Sequence, residues 1–474
     1  MLAALDLAGP SPEVREALIQ VAYLISSVLF ILGLRGLSDP ATARRGMAQA
    51  SLAMFLAVVG TLLHHDIVRF DWIMLGIVVG GIVGVVIGLP LGIDVPMTAM
   101  PQFVAISHMF GAIAATLVGI DEYLALGTRP PTAIMTALGF EVVLGAITVT
   151  GSFMAFAKLQ ELIGGRPITY PGQNITNLTL FTATVGVLVY QLASPGHPAL
   201  FFLMVGLATL IGVLMVLPIG GADMPVVISL LNGYAGLAAS AMGFALNNNL
   251  LIVAGALDGA SGFLLSVLMC RAMNRSFTNV LFGAFGGAVA TAKSAEGLTV
   301  REVSVEDAAV QLAYAKNVVV VPGYGLAVAR AQHLVKEMAD LIEKKGGQVR
   351  FAIHPVAGRM PGHMNVLLAE AEIPYDRLLD MEAVNGDFPR TDVALVIGAN
   401  DVVNPAARSD ASSPIYGMPI LNVDEARSII VMKRSMGAGF AGIENELFYN
   451  PKTAMLFGDA KASLGKLVTE LKAL

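Results

Sequence analysis

The sequence predicts a polytopic α-helical membrane domain of about nine spans, followed by a soluble α/β domain with a doubly wound parallel sheet. Three observations predict this arrangement. The 474 residues are 55% hydrophobic and only 14% charged, with a mean hydropathy of +0.72, which is typical of polytopic membrane proteins. The long apolar segments stop near residue 275. Strand-like and helix-like stretches then alternate after residue 300, as in parallel sheets covered by helices on both faces.

A helix needs about 20 apolar residues to cross a bilayer. Nine segments qualify, with centres near residues 26, 55, 80, 110, 144, 185, 208, 235 and 260. The arginines and lysines between them predict a cytoplasmic C-terminal domain by the positive-inside rule. In the third segment, glycines at four-residue spacing predict close helix packing; these are Gly76, Gly80, Gly84 and Gly88. We therefore expect a membrane domain over 1–275, a linker over 276–300 and a soluble domain over 301–474.

Two polar residues occupy equivalent places in two of the predicted spans. His108 follows Pro101 by seven residues, and Asn232 follows Pro225 by seven. Proline suits the first turn of a helix, so each polar side chain should lie about 10 Å deep. Intramembrane polar groups are costly and usually functional, and histidine changes charge near neutral pH. We predict that both residues belong to a proton path with Asp223 at its cytoplasmic mouth. The alternative for His108 is a histidine that only stabilises helix packing.

The first strand of the soluble domain, about 318–321, precedes the turn Gly323-Tyr324-Gly325, a pattern typical of Rossmann-like dinucleotide-binding domains. Further strands are predicted at 348–353, 392–397, 418–423, 428–433 and 453–457. The strand at 348–353 has no acidic residue at its end to bind a ribose 2′-hydroxyl, which disfavours NAD.

A cationic loop favours NADP instead. Lys433, Arg434 and Ser435 follow a predicted strand and offer two cations and a hydroxyl to a 2′-phosphate; alone, the cations would be an ordinary surface pair. Arg359, in the loop after the second strand, could meet a pyrophosphate. Asp401, after another strand, could lie near the nicotinamide, or could only close an Asx turn.

Seven sequence motifs carry a resemblance to a known family. Five lie in the soluble part, at Val321–Ala327, Ile353–Ala371, Val396–Ala407, Met432–Met436 and Met455–Lys461; two lie in the membrane part, at Ala222–Val227 and Cys270–Phe277. In these strings and their order the chain resembles the β subunit of proton-translocating NAD(P) transhydrogenases along essentially its whole length.

The resemblance implies hydride transfer between NADP(H), bound by this chain, and NAD(H), bound by a partner α subunit, coupled to proton translocation. It implies a dimer of αβ units in the lipid bilayer of a cell inner membrane. His108, Asn232 and Asp223 match proton-path residues, and Asp401 matches an acid that links cofactor state to protonation. The resemblance also implies that NADP(H) lies reversed relative to ordinary dinucleotide domains.

The residues that match NADP(H) contacts lie in the loops after the strands. They are Gly323, Tyr324, Gly325, Val356, Ala357, Gly358, Arg359, Met360, Pro361, Gly398, Ala399, Asn400, Asp401, Val402, Gly417, Met418, Lys433, Arg434, Ser435, Met436, Gly437, Ala438, Gly439, Phe440, Asp459 and Ala460. One departs from the family pattern, because Phe440 stands where a tyrosine is expected.

Two other functions compete with this interpretation. The first is a channel or transporter gated by a nucleotide-binding regulatory domain. The second is a membrane reductase that passes electrons from NADPH to quinone or haem, but the spans lack the paired histidines that haem requires. The net charge of −6 argues against a nucleic-acid partner, and we expect no metal site.

Overall fold

The fold is described from a computed structural model. The structure describes residues 12–64, 70–85, 99–127, 130–160, 162–163, 168–220, 223–272, 277, 299–358, 362–410, 413, 415–437 and 443–474.

Eight helices in the N-terminal part are long and apolar enough to span a membrane. They are α1 (Pro12–Gly36), α2 (Pro40–Leu62), α4 (Met100–Leu126), α5 (Thr132–Leu159), α6 (Gln173–Ala193), α7 (Pro198–Val216), α8 (Met224–Ala245) and α9 (Asn249–Ala272). The predicted span near residue 80 corresponds to α3 (Phe70–Val83), whose 14 residues are fewer than a span needs. Residues 86–98 follow it and lie outside the described part, so the ninth span stays a prediction.

Glycines line close contacts between helices of the membrane part, but the described contacts involve other glycines than those predicted in the third segment. A Cβ built on Gly76, Gly80 or Gly84 would meet no described atom within 4 Å, so the close packing predicted for that face stays a prediction. One such close contact is between α8 and α9. A Cβ on Gly236 would lie 2.3 Å from the backbone nitrogen of Gly259, which only a glycine-lined interface permits.

The C-terminal part holds one six-stranded parallel sheet with strand order β3-β2-β1-β4-β5-β6. Its strands are β1 (Asn317–Pro322), β2 (Gln348–Ile353), β3 (Leu378–Asp380), β4 (Val393–Ile397), β5 (Ser428–Lys433) and β6 (Thr453–Phe457). Its helices are α10 (Val305–Tyr314), α11 (Tyr324–Ala329), α12 (Gln332–Lys344), α13 (His363–Glu370), α14 (Met381–Asn385), α15 (Ala406–Ser409) and α16 (Ala460–Ala473). The strand order reverses between β1 and β4, and ligands of such sheets bind outside that point.

The two faces of the sheet are covered by separate apolar clusters. One contains Leu312, Val335 and Leu467 with the inward side chains of the strands, and the other contains Phe388 and Phe448. Ser304 caps the start of α10, because the Asp307 N–H donates to Ser304 Oγ at 3.1 Å. The predicted doubly wound parallel sheet is confirmed.

One strand was predicted in the wrong place. Residues 418–423 form no strand; the sixth strand is β3, which pairs with β2 at the sheet edge. The stretch begins at Gly417, with φ +78°, and Pro419 has no N–H to donate to a sheet. Leu421 instead donates its N–H to the Val402 carbonyl at 2.9 Å. The segment therefore packs against the loop that follows β4 and does not pair with a strand of the sheet.

Candidate functional site

His108 and Asn232 occupy equivalent positions along two helices that pack against each other. Each helix has a proline in its first turn, and each polar residue follows that proline by about two helical turns. The helices α4 and α8 pack against each other. The Nδ1 atom of His108 is buried and has no hydrogen-bond partner among the described residues.

A third polar residue, which the sequence reasoning missed, joins this pair. Asn232 Nδ2 donates to Asp258 Oδ1 of α9 at 3.0 Å. The carboxylate of Asp258 also lies within range of charge interaction with the His108 ring. A lone acid inside a 23-residue apolar helix was the available signal. The three side chains come from α4, α8 and α9, and together they form what we call the intramembrane cluster: His108, Asn232 and Asp258.

Asp223 stands immediately before α8, at its N-cap position. Its carbonyl accepts from the Val226 N–H at 3.1 Å, which fixes the start of the helix that carries Asn232. The end of the preceding helix is capped by Lys158 of α5, whose ammonium donates to the carbonyls of Val216, Leu217 and Ile219. Lysine at a helix C-terminus satisfies carbonyls that lack helical partners.

In the soluble domain, the first glycine turn packs against the loop after β4. Gly323 donates its N–H to the Ile397 carbonyl at 2.9 Å, and Gly325 donates to the Gly398 carbonyl at 3.0 Å. A Cβ on Gly325 would lie 2.7 Å from the Gly398 Cα. Both N–H groups are therefore already used, and these two glycines bring the loops together instead of binding a pyrophosphate with those groups. Tyr324 lies between them, with its ring centre 6.2 Å from that of His363.

His354, which was not predicted as a site residue, links two of the predicted contact loops. The Val356 N–H donates to its Nδ1 at 3.3 Å, so the neutral ring carries its proton on Nε2, which donates to the Pro419 carbonyl at 2.8 Å. Burial lowers the pKa of His354, and the hydrogen bond to Pro419 opposes that shift. The loop of Val356, Ala357 and Gly358 therefore lies beside Gly417 and Met418. The predicted contacts Arg359, Met360 and Pro361 lie outside the described residues.

The loop after β4 carries Asp401 and is held from behind by Asn445. The Asn445 side chain is 1% exposed and donates to the carbonyl and the side-chain oxygen of Asn400, at 2.9 and 3.0 Å. Its own oxygen accepts from the Leu447 N–H at 2.9 Å. Ala399 and Val402 of the same loop are buried. This clamp holds the residue immediately before Asp401, and the Val402 carbonyl after it accepts from the Leu421 N–H at 2.9 Å.

The cationic loop begins where β5 ends. The Lys433 ammonium lies 4.7 Å from the ring centre of Phe448 and donates to the Gly437 carbonyl. Burial lowers the pKa of Lys433, and the negative charge of Asp401 opposes that shift, so the β4 and β5 loops interact electrostatically. Arg434 and Ser435 are exposed, and Met436 is half-buried. The predicted contacts Ala438, Gly439 and Phe440 lie outside the described residues.

The last predicted contacts, Asp459 and Ala460, lie at the start of α16. Asp459 caps this helix, because its carboxylate accepts from the Ala462 N–H at 3.0 Å. The Gly458 N–H donates to the Lys433 carbonyl at 3.1 Å, so the β6 loop reaches the cationic loop. In the part of the chain that the structure describes, no group of three or more His, Cys, Asp or Glu side chains could hold a metal ion.

The fold and these loops define a multi-pass membrane protein with a C-terminal domain of the nucleotide-binding type. Comparison with known proteins is more specific. The family model for the NAD(P) transhydrogenase beta subunit matches residues 19–470, so the chain belongs to that family. The chain is 50% identical over 463 residues to the NAD(P) transhydrogenase subunit beta of Rhodospirillum rubrum, covering 96% of this chain and 99% of the relative. The same values hold for the protein from a defined strain of that organism. The resemblance inferred from the motifs is confirmed.

Proposed function

We propose that this chain binds NADP(H) in its C-terminal domain and exchanges hydride with NAD(H) held by a partner α subunit, coupled to proton movement through its membrane domain. The observation that carries the proposal is the combination within one chain of this family: a His–Asn–Asp cluster inside the spans and a cationic loop at the ligand end of a doubly wound sheet. The assembly is a dimer of αβ units in a cell inner membrane, with the C-terminal domain in the cytoplasm.

The residues present fit NADP(H). Two cations and a hydroxyl at positions 433–435 suit a 2′-phosphate, and the exposed Arg434 offers a planar fork for two phosphate oxygens. The bound nicotinamide would supply the hydride chemistry. The protein's part is to hold the nucleotide and to orient the reacting ring toward the partner subunit, which is positioning work. Asp401, clamped by Asn445 and acting on Lys433, is suited to sense which charge state of the nucleotide is bound.

Coupling requires that protonation of His108 have a different free energy in two states of the enzyme. One state would exchange NADP(H), and the other would transfer hydride. One charge moved through the membrane potential provides about 2.3 kcal/mol per 100 mV. We expect His108→Ala to abolish proton-coupled turnover of the αβ complex while NADP⁺ binding persists. Loss of NADP⁺ binding in this variant would contradict the separation of the two sites.

Calorimetric titration of the purified full-length chain with NADP⁺ and with NAD⁺ tests the cofactor assignment. We expect tight binding of NADP⁺ only, and its loss in a Lys433→Ala/Arg434→Ala variant. The matched control is Lys344→Ala/Lys345→Ala, which removes two exposed cations at the end of α12, before the amino end of β2, and should bind normally. Equal binding of both nucleotides, or of neither, would overturn the assignment and favour a gated channel or transporter.

A further inference from the structure

Asp258 is a carboxylate in the middle of a predicted membrane span, a position at which acidic residues are rare and usually functional. It lies nine residues after the start of α9, about 14 Å along the helix and therefore near the middle of the span. On the chain itself its side chain is exposed. Carboxylates inside membrane spans almost always face a bundle interior or a water-filled path, so an exposed acid at this depth indicates a polar surface at mid-membrane.

The close approach of α8 and α9 fixes where this acid points. Asn232 lies one turn before Gly236, and Asp258 is adjacent to Gly259, the residue that Gly236 contacts. Because these glycines let the two backbones approach, the Asn232 amide reaches the Asp258 carboxylate at 3.0 Å. The amide donates through Nδ2, and this orients the carboxylate without neutralising it.

His108 is the titratable side chain that interacts electrostatically with this carboxylate. The helices packed against α8 are α4, α5 and α9, and α9 also packs against α1. Their buried or half-buried titratable side chains include His108 on α4, Glu141 on α5 and Tyr234 on α8 itself. Among these, the group whose charge acts on Asp258 is His108. Glu141 instead lies against Gly119, on the α4–α5 side.

We propose that Asp258 is a proton-carrying residue that works in series with His108, while Asn232, which donates to the Asp258 carboxylate, is its positioning residue. A proton that leaves the imidazolium of His108 would be accepted by a carboxylate oxygen of Asp258, and the electron pairs stay on nitrogen and oxygen. This inference rests on the proposed proton-translocating function and extends it from two polar residues to three.

The test uses the αβ complex reconstituted in liposomes, with proton uptake measured by a pH-sensitive dye during turnover. The variant Asp258→Asn keeps an oxygen that can accept from Asn232 but cannot take up a proton. We expect proton uptake and coupled turnover to fall about 10²-fold or more, the contribution typical of a positioned proton-transfer group. A single round of hydride transfer from nucleotides already bound should be unchanged, and Asp258→Glu should recover much of the coupled rate.

The control is Asp121→Asn, which removes an exposed carboxylate 13 residues beyond His108 on the same helix, about 20 Å away along its axis. It should pump normally. Full activity of Asp258→Asn would show that this residue only holds Asn232 and would overturn the inference. If the wild-type complex itself moves no protons, the proposed function fails instead. If Asp258→Asn loses NADP⁺ binding as well, its defect is structural and the inference is wrong.

Discussion

Replacing Asn445 with alanine should loosen the loop that carries Asp401. The substitution removes three hydrogen bonds: two to Asn400, at 2.9 and 3.0 Å, and one from Leu447, at 2.9 Å. Each such bond contributes about 1 kcal/mol net, and a buried group left without a partner costs at least as much. We therefore expect the free energy of unfolding of the soluble domain to fall by about 3 kcal/mol. For a domain of this size the midpoint of thermal unfolding should fall by about 6–12 °C.

The assay is calorimetric unfolding of residues 299–474 produced alone, because both apolar clusters of this domain draw only on its own residues. NADP⁺ affinity is measured on the same samples. The matched control is Ile342→Ala, a fully buried residue of α12, which should cost about 2–5 kcal/mol by leaving a cavity. Asn445→Ala should lose more NADP⁺ affinity than this control at equal loss of stability. Equal affinities in the two variants, or an unfolding midpoint unchanged by Asn445→Ala, would refute the clamp.

Two further predictions follow from other contacts. The pKa of His354 lies below its ordinary value of 6.5, so the unfolded chain binds a proton there before the folded domain does. The free energy of unfolding should therefore fall as the pH drops from about 6.5 toward the lowered pKa and then level off; His354→Gln should flatten this slope in thermal unfolding between pH 7.5 and 5.5. In the membrane domain, Gly236→Ala would place a Cβ 2.3 Å from the Gly259 nitrogen and push α8 from α9. We expect coupled turnover in liposomes to fall with retained NADP⁺ binding, whereas Gly206→Ala, whose Cβ would meet nothing within 4 Å, should leave turnover intact.

The large features of the fold could be predicted from the sequence because they depend on local pattern. Apolar length alone identified eight spans, and the prolines of α4 and α8 gave the depth of His108 and Asn232. Buried strands such as β5, at Ser428–Lys433, matched their predicted bounds. Apolar length and the apolar pattern of a strand depend on the burial of one segment in the bilayer or in the core of the domain. They can therefore be recognised without knowing which other segments pack against it.

The strand predictions were wrong where the structure of a segment depends on contacts with residues distant in the sequence. The stretch 418–423 has the apolar character of a strand, but the Leu421 N–H donates to the Val402 carbonyl, and no strand of the described residues pairs with this stretch. β3 has only three residues and pairs at the edge, so its signal is too short to detect. In the first case a hydrogen bond between segments distant in sequence overrode the local pattern. The hydrogen bonds from the Gly323 turn to the β4 loop also join distant segments, and the glycine pattern alone does not reveal them.

The proposed role of Asp258 suggests a route by which a proton in the membrane domain could affect the soluble domain, because the helix that carries it is close in sequence to that domain. The helix that carries it, α9, is the last described helix before the soluble domain, and only residues 273–298 separate the end of α9 from the described start of that domain. A change in the protonation of Asp258 would therefore act on the helix that precedes the soluble domain in the sequence. The energy available per proton, about 2.3 kcal/mol per 100 mV, is as large as the coupling free energies of about 1–3 kcal/mol that link distant sites in proteins. One proton at this position is therefore enough to favour one state of the enzyme over the other, provided that α9 differs between the two.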